Sequence, residues 1–333
     1  MIIDGMATTA LAWHLQDVNR RARTLATLQA SPFDRVRMAA LAGRCTLDSL
    51  EERVSELAGI GVTAELVLLH PDDGIADVAA AARYLREVVP RLAPHPNVWW
   101  SLSAEPARLP GISEHDWVRL ANLVAEEDPG HHPLSVTVPA DSPLLWRRGF
   151  THGSVTARSP RDAWVQTRDH HQPVVMDMCG YEGDGSDPWL SLTPQEVVAQ
   201  AWDGAVRRRC VTHGESYLDE DGLTWSQSGG TLVGEAVRRL RLLRQVLVAI
   251  PEEARYRDRD APMLELAGEF YLEFCGEHRF PQREYDVPEG RYEVEVIDTW
   301  EMTVTPHGVQ EGPTVTVPLP GTVGQAIRLR RVP

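Results

Sequence analysis

Pro96-Asn97-Val98-Trp99-Trp100-Ser101-Leu102-Ser103-Ala104-Glu105 is the stretch from which the fold can be read. A Pro-Asn turn opens it, an apolar, β-favouring run follows at Val98–Leu102, and small polar residues with a carboxylate close it. Amphipathic helical patterns flank it, at Ala79–Leu92 before and Asp116–Glu127 after. A short buried strand between two helices is the building unit of a parallel sheet with crossover helices. The alternation continues in both directions. Strand-like runs lie at Ala7–Trp13, Arg35–Ala40, Ala64–His70, Leu134–Val138, Ser154–Ala157, Val174–Met178 and Cys210–Tyr217. Further helical patterns occupy Leu47–Leu57, Pro194–Arg208 and Gly234–Ala249. Thr46 and Thr193 stand where N-caps belong, and Glu196 follows Thr193 at capping-box spacing. Eight strand-like runs predict an α/β chain of the (β/α)8 TIM-barrel type. No G-x-G-x-x-G follows a strand, so an open dinucleotide-binding sheet is disfavoured.

Beyond Pro251 the texture changes. Residues Glu252–Asp260 are mostly charged and read as a linker. Alternating segments then follow at Leu264–Cys275, Arg291–Thr305, Thr314–Leu319 and Ala326–Arg331, divided by Pro and Gly turns. The expected organisation is a barrel over 1–255 and a small all-β sandwich over 261–333. The clusters Arg207–Arg209 and Arg238–Arg244 read as solvated helix faces.

Composition narrows the function classes. The 333 residues are 43% hydrophobic and 24% charged, which suits a packed core rather than disorder. With 33 Lys and Arg against 48 Asp and Glu the net charge is −15, so a nucleic-acid partner is not expected. No apolar run approaches the ~20 residues of a membrane span. The start Met1–Gly5 lacks a basic region followed by an apolar stretch, so no signal peptide is expected. Cys45, Cys179, Cys210 and Cys275 form no C-x-x-C pair and read as reduced thiols, consistent with a cytoplasmic location.

In a barrel of this kind the chemistry sits at the C-terminal ends of the strands, where the loops form a mouth. The run ends offer His14, Arg37, His70, Glu105, His152, Asp177, Glu182, His213, Glu215, Tyr217 and Trp225. Carboxylates for proton transfer or nucleophilic attack, with aromatic rings to stack on sugar faces, suit a carbohydrate or glycoside. A metal-dependent hydrolase is an alternative, with His70, His213 and Glu215 as candidate ligands. No H-E-x-x-H is present, and neither a resident metal nor a cofactor is expected; the pairs His131-His132 and His170-His171 lie in expected loops. A Cys179 nucleophile assisted by His213 is a further alternative, against the commoner fate of a packed thiol.

The motifs resemble a family of TIM-barrel glycoside hydrolases, cellulase-like and of the clan-A type, with a small C-terminal β-sandwich of unknown function. Asn97–Glu105 resembles its N-V-W-W-S-L-A-N-E. Phe33–Met38 resembles F-N-K-I-R-M and Ala64–Pro71 resembles A-D-L-I-L-F-H-P. Pro173–Gly183 resembles P-V-V-V-D-E-C-G-Y-E-G, Thr212–Tyr217 resembles T-H-G-E-T-Y, and Leu223–Gly230 resembles L-W-W-S-K-G-G. Val296–Thr303 resembles V-I-D-T-W-N-M-T of the sandwich.

The resemblance implies Glu105 as the acid/base, and a nucleophilic Glu at the end of the seventh strand. The chain departs there: Ala104 replaces the Asn before Glu105, and Met178 replaces the nucleophile. A thioether forms no glycosyl ester. Arg37 matches the arginine beside the nucleophile and is expected to lack its charge partner. Asp177 is expected to point outward, Met178 inward. The segment Ala39–Cys45 and the turn Asp72-Asp73-Gly74 stand where the family carries longer loops, so the mouth is expected to be more open.

Three functional expectations result. The first is a glycosidase with Glu105 as general acid, held protonated by an apolar surrounding that includes Trp100, and with Glu182 or Glu215 activating water. The second is a catalytically impaired carbohydrate-binding or scaffold relative. The third is the metal-dependent hydrolase. In the first two, Arg37, His70, Trp100, His152, Asp177, Met178, Tyr181, His213, Tyr217 and Trp225 contribute to the sugar pocket.

Overall fold

A computed structural model describes residues 5–40, 44–75, 77–170 and 172–333. The first four residues, part of the Ala39–Cys45 segment and His171 of the His170-His171 pair lie outside the described residues. The chain divides into two compact units, Met1–Thr193 with Cys210–Gly234, and Pro194–Arg209 with Glu235–Pro333.

The strands of the first unit form two parallel sheets. β1 (Ala7–Thr9), β2 (Arg35–Ala39), β3 (Thr63–Val67), β4 (Val98–Ser101) and β5 (Leu134–Ser135) make one, in that order. β6 (Thr137–Pro139), β7 (Gly153–Thr156), β8 (Val174–Met178) and β9 (Arg209–Val211) make the other. β5 and β6 are two halves of one strand, parted at Val136. On the far side a parallel bridge joins Thr8 to His213, the Thr9 amide donating to His213 and the His213 amide to Ala7, each at 2.8 Å. The result is a closed ring of eight staves, a TIM barrel.

The helices of this unit are α1 (Val18–Ala30), α2 (Leu47–Gly59), α3 (Val78–Leu92), α4 (Glu114–Glu127), α5 (Pro160–Thr167) and, later in the chain, the single turn Trp225–Ser228. Thr46 caps α2 by accepting the Ser49 amide at 3.2 Å. Alternation sorts each strand. Val36, Met38, Ala64, Leu66, Val98 and Trp100 join Leu50, Val54, Leu85, Val88, Trp117 and Leu120 of the helices in one apolar core. Each Val or Leu so buried contributes about 1.5–3 kcal/mol. The opposite row, Thr9, Arg37, Glu65 and Trp99 in register, faces the lumen.

Sequence reading passed over α1 because its buried stripe is Arg20, Thr24 and Leu28, which gives almost no hydrophobic period. Arg20 instead reaches Asp219 at 2.8 Å.

The second unit holds α6 (Pro194–Val206), α8 (Ala236–Val248) and antiparallel sheets; the turn Trp225–Ser228 is α7. One sheet runs β10 (Arg255–Arg257), β11 (Met263–Leu266), β12 (Phe270–Phe274), β17 (Gln325–Val332), β14 (Arg291–Asp298), β15 (Thr303–Glu311). The other pairs β13 (Gln282–Asp286) with β16 (Thr314–Pro318). Their shared core holds Tyr271, Tyr285, Tyr292, Val294, Val315, Val317, Ile327 and Leu329, which makes the small sandwich. Two expectations change. The charged linker contains the edge strand β10, paired with Met263–Glu265. Arg207, Arg209 and Arg239 are buried rather than solvated. Among the described residues no helix is long and apolar enough to cross a membrane.

Candidate active site

The lumen is charged. Arg37 sets its guanidinium 2.9 Å from the Asp177 carboxylate and 3.7 Å from Glu65, and Arg35 meets Glu65 at 3.0 Å. Ser154 and Thr212 donate hydroxyls to Asp177 at 2.5 and 2.6 Å, and Arg37 donates to Thr137 at 2.5 Å. Burial alone would raise the Asp177 carboxyl. The Arg37 and Arg35 charges and the two hydroxyls overcome it and hold the group down to about 2.

Asp177 therefore faces inward, against expectation, and Arg37 does have a charge partner. The outward expectation counted alternation from Met178. Val174 and Met176 occupy the outer core, which turns Val175 and Asp177 inward. A register shift follows: Val155 pairs Met176 but Thr156 pairs Met178, so Asp177 is the extra residue of a bulge. Met178 is half-buried opposite Thr156. Tyr181 lies beside Thr9 and Arg37, with its ring over Gly214, where a Cβ would stand 2.2 Å from it.

At the ends of the third and fourth strands the surface opens. Glu105 keeps a 34% exposed side chain and meets Arg108 at 2.7 Å, and Arg108 also reaches Asp72 at 3.8 Å. His70 Nδ1 accepts the Asp72 amide at 3.3 Å, and Asp73 accepts the His70 amide at 2.8 Å. Partial burial lowers the His70 pKa in spite of the nearby Asp72 and Glu105, and pushes the Asp73 carboxyl up to about 6. The surrounding of Glu105 is thus a guanidinium, not an apolar wall. Trp100 is turned the other way, its indole N–H donating to Asp128 at 3.0 Å.

A third group gathers along the eighth strand. Glu182, His213 and Glu215, all buried, bring one potential ligand atom each within 4.8 Å of one another. Thr8 lies next to Thr9, so it faces away from the Arg37 row. Thr8 Oγ1 meets His213 Nδ1 at 3.1 Å and accepts the Trp225 indole N–H at 2.9 Å. His213 and Trp225 therefore lie on the outer side of the barrel wall rather than in a lumen pocket.

Glu215 accepts the Val233 and Gly234 amides at 2.7 and 2.9 Å. Burial drives its carboxyl up to about 7 against those two bonds, with Glu182 adding to the rise. Burial takes His213 down to about 3, and its Nε2 makes no hydrogen bond. A Cβ on Gly234 would sit 2.4 Å from the Glu182 carboxyl carbon, which is why the chain needs glycine there. Of the metal ligands expected, His213 and Glu215 come together with Glu182, whereas His70 lies with Asp72.

His152 precedes β7 instead of ending it. It packs on Trp99 at 5.4 Å between ring centres, and burial with the Arg35 charge takes it down to about 4. Tyr217 is half-buried past the eighth strand. Cys179 is buried, which pushes its thiol up to about 12, far from a nucleophile's range. His132 pairs with Asp128 at 2.9 Å, and His170 stacks on Trp146 at 3.7 Å. Sequence reading missed Glu65, Arg35 and Arg108. The signals were present: a lone carboxylate in an apolar strand, a second arginine at period two, and a cation three residues beyond Glu105.

Comparison with known proteins agrees with this architecture. Residues 259–330 match the family described as a domain of unknown function, DUF5605. A provisionally assigned glycoside hydrolase from Bacteroides vulgatus ATCC 8482 superposes with a TM-score of 0.88 at 25% identity, over 98% of this chain and 78% of that one. A glycoside hydrolase of family 5 from the same organism gives 0.80 at 12% identity, over 98% and 88%. The endo-β-1,4-mannanase of Thermotoga petrophila gives 0.58 at 11%, over 99% and 98%. No curated protein matches the chain. The fold is that of the TIM-barrel glycoside hydrolases, with the small β-sandwich at the C-terminal end.

Proposed function

We propose that this chain is a glycoside hydrolase-like protein that binds a carbohydrate at the barrel mouth, with Glu105 as its acid/base group and with turnover impaired by Met178. One observation carries the reading. Of the four candidate carboxylates only Glu105 reaches solvent, with 34% of its side chain exposed, while Asp177, Glu182 and Glu215 are at 1%, 0% and 0%. Two-carboxylate hydrolysis needs a second oxygen facing the sugar, ~5–5.5 Å away for retention or ~6.5–9.5 Å with a water between for inversion. A carboxylate without solvent access activates no water. The impaired, carbohydrate-binding alternative is therefore preferred to a working pair. The fold of the relatives supports the substrate class.

Turnover of a panel of aryl glycosides by the wild type, Glu105→Gln and Met178→Glu tests this. The wild type should be slow and Met178→Glu faster. Glu105→Gln placed in the Met178→Glu background should remove the gain by about 10²–10⁴-fold, the usual worth of a positioned acid/base. Turnover that ignores Glu105→Gln in both backgrounds would overturn the assignment.

A further inference from the structure

The second unit contains a cavity of about 740 Å3, within the ~300–1,000 Å3 of small-molecule sites. Trp300 lines it, with Glu196, Glu277, Glu301, Arg279 and Val323 among its walls. The indole is held rigidly. Arg239, which is not part of the lining, lies over the ring at 3.3 Å from its centre and donates from Nε to the Trp300 carbonyl at 3.0 Å. Asp298 accepts the amides of Trp300 and Glu301 at 3.0 and 2.8 Å, which fixes the turn between β14 and β15.

We propose that this cavity binds a short neutral carbohydrate chain, at a site separate from the barrel mouth. A pinned aromatic ring offers its negatively polarised face to the C–H bonds of a pyranose, and the loss of rotamer freedom on binding is small because the ring is already fixed. Glu196, Glu277 and Glu301 are exposed and accept from sugar hydroxyls, while Arg279 donates to them. The charges select among ligands. Carboxylates outnumber the one guanidinium in the lining, which repels uronic-acid polymers. A cationic ligand would be drawn by the carboxylates, but Arg239 already covers one face of the ring and so reduces the cation–π gain on the indole. A neutral polyol meets no repulsion and uses the ring and the hydrogen-bonding groups together. The proposal stands independently of any catalysis in the barrel.

Titration calorimetry on the full-length protein tests it, with mannohexaose, cellohexaose, a hexagalacturonate and spermine as probes. Binding of a neutral hexaose is expected, with Trp300→Ala weakening it about tenfold or more, the equivalent of ~1.4 kcal/mol. Trp300→Phe should recover part of the loss. Val323 lies at the exposed rim, so Val323→Arg should block the cavity without disturbing the core, and it decides the matter if Trp300→Ala fails to fold. His70→Ala, at the barrel mouth, serves as the control. Neutral-sugar binding lost in His70→Ala but kept in Trp300→Ala and Val323→Arg would overturn the second site and leave the barrel reading intact. Absence of binding to either neutral hexaose, or preference for spermine or the galacturonate, would also overturn it.

Discussion

Two arginine–carboxylate pairs of nearly equal length sit in different surroundings, Arg37–Asp177 at 2.9 Å in the lumen and Arg108–Glu105 at 2.7 Å at the mouth. The first has about 2% of its side chains exposed, the second 56% and 34%. Distance therefore says little about what a pair does. In the lumen both charges are buried; the partner charge, Glu65 and the hydroxyls of Ser154 and Thr212 stand in for solvent, so the pair is part of the framework. At the mouth both partners are exposed and the contact is worth little.

Acid should bring out this contrast most strongly. Burial lowers His14 and His152 to about 4 and His213 to about 3, so all three are neutral in the folded state where the unfolded chain would be protonated. Between pH 6.5 and about 4 the unfolded chain binds more protons, and stability falls as pH falls, by about 1.4 kcal/mol per pH unit for each histidine. Glu215, raised to about 7, works the other way: its contribution is complete below about 4.5 and is lost as pH rises towards 7. Asp73, raised to about 6, acts in the same sense as Glu215; three histidines outweigh these two carboxyls, so melting temperature should drop below pH 6. A flat profile from pH 7 to 4.5 would break the picture of a dry interior.

Next in size is Asp177→Asn. It takes from Arg37 the nearer of its two carboxylate partners, leaving Glu65 at 3.7 Å, and should cost about 3–5 kcal/mol, read from thermal and urea melts. A paired Arg37→Met, Asp177→Leu replacement should recover much of that loss, because it leaves no unpaired charge. A single variant with an unchanged midpoint would mean that the lumen is wetter than its burial indicates. The smallest effect belongs to Arg108→Ala, which should stay within about 1 kcal/mol of the parent by the same melts. A loss as large as that of Asp177→Asn would make the mouth pair structural and erase the distinction.

The same contrast explains what sequence could reveal. The eight staves were legible because apolar alternation is imposed by two-layer packing, and Val36, Leu66 and Trp100 show it plainly. The phase at the seventh strand was not. Asp177 and Met178 are adjacent, either assignment satisfies alternation, and the bulge that decides between them leaves no mark in residue type. The place of Glu105 beyond β4 follows from the strand pattern, but its pairing with Arg108 depends on the turn Pro106–Arg108, which alternation does not describe. Strand-end position alone assigns His213 and Trp225 to the mouth, yet Thr8, more than 200 residues earlier, fixes their side of the wall. α1 stayed hidden because its core contact is an arginine. Long-range pairing decides such cases, and local pattern does not contain it.

The bridge between Thr8 and His213 also bears on the protein's birth. One edge of the first stave waits for a residue 205 positions later, so the barrel cannot close during synthesis until that segment clears the ribosome, and any sheet formed earlier has two unpaired rims. Unpaired rims of this kind in general invite chaperone capture and premature self-association. Slowing translation upstream of residue 213 would lengthen the chain's exposure to them without altering a single contact of the finished protein.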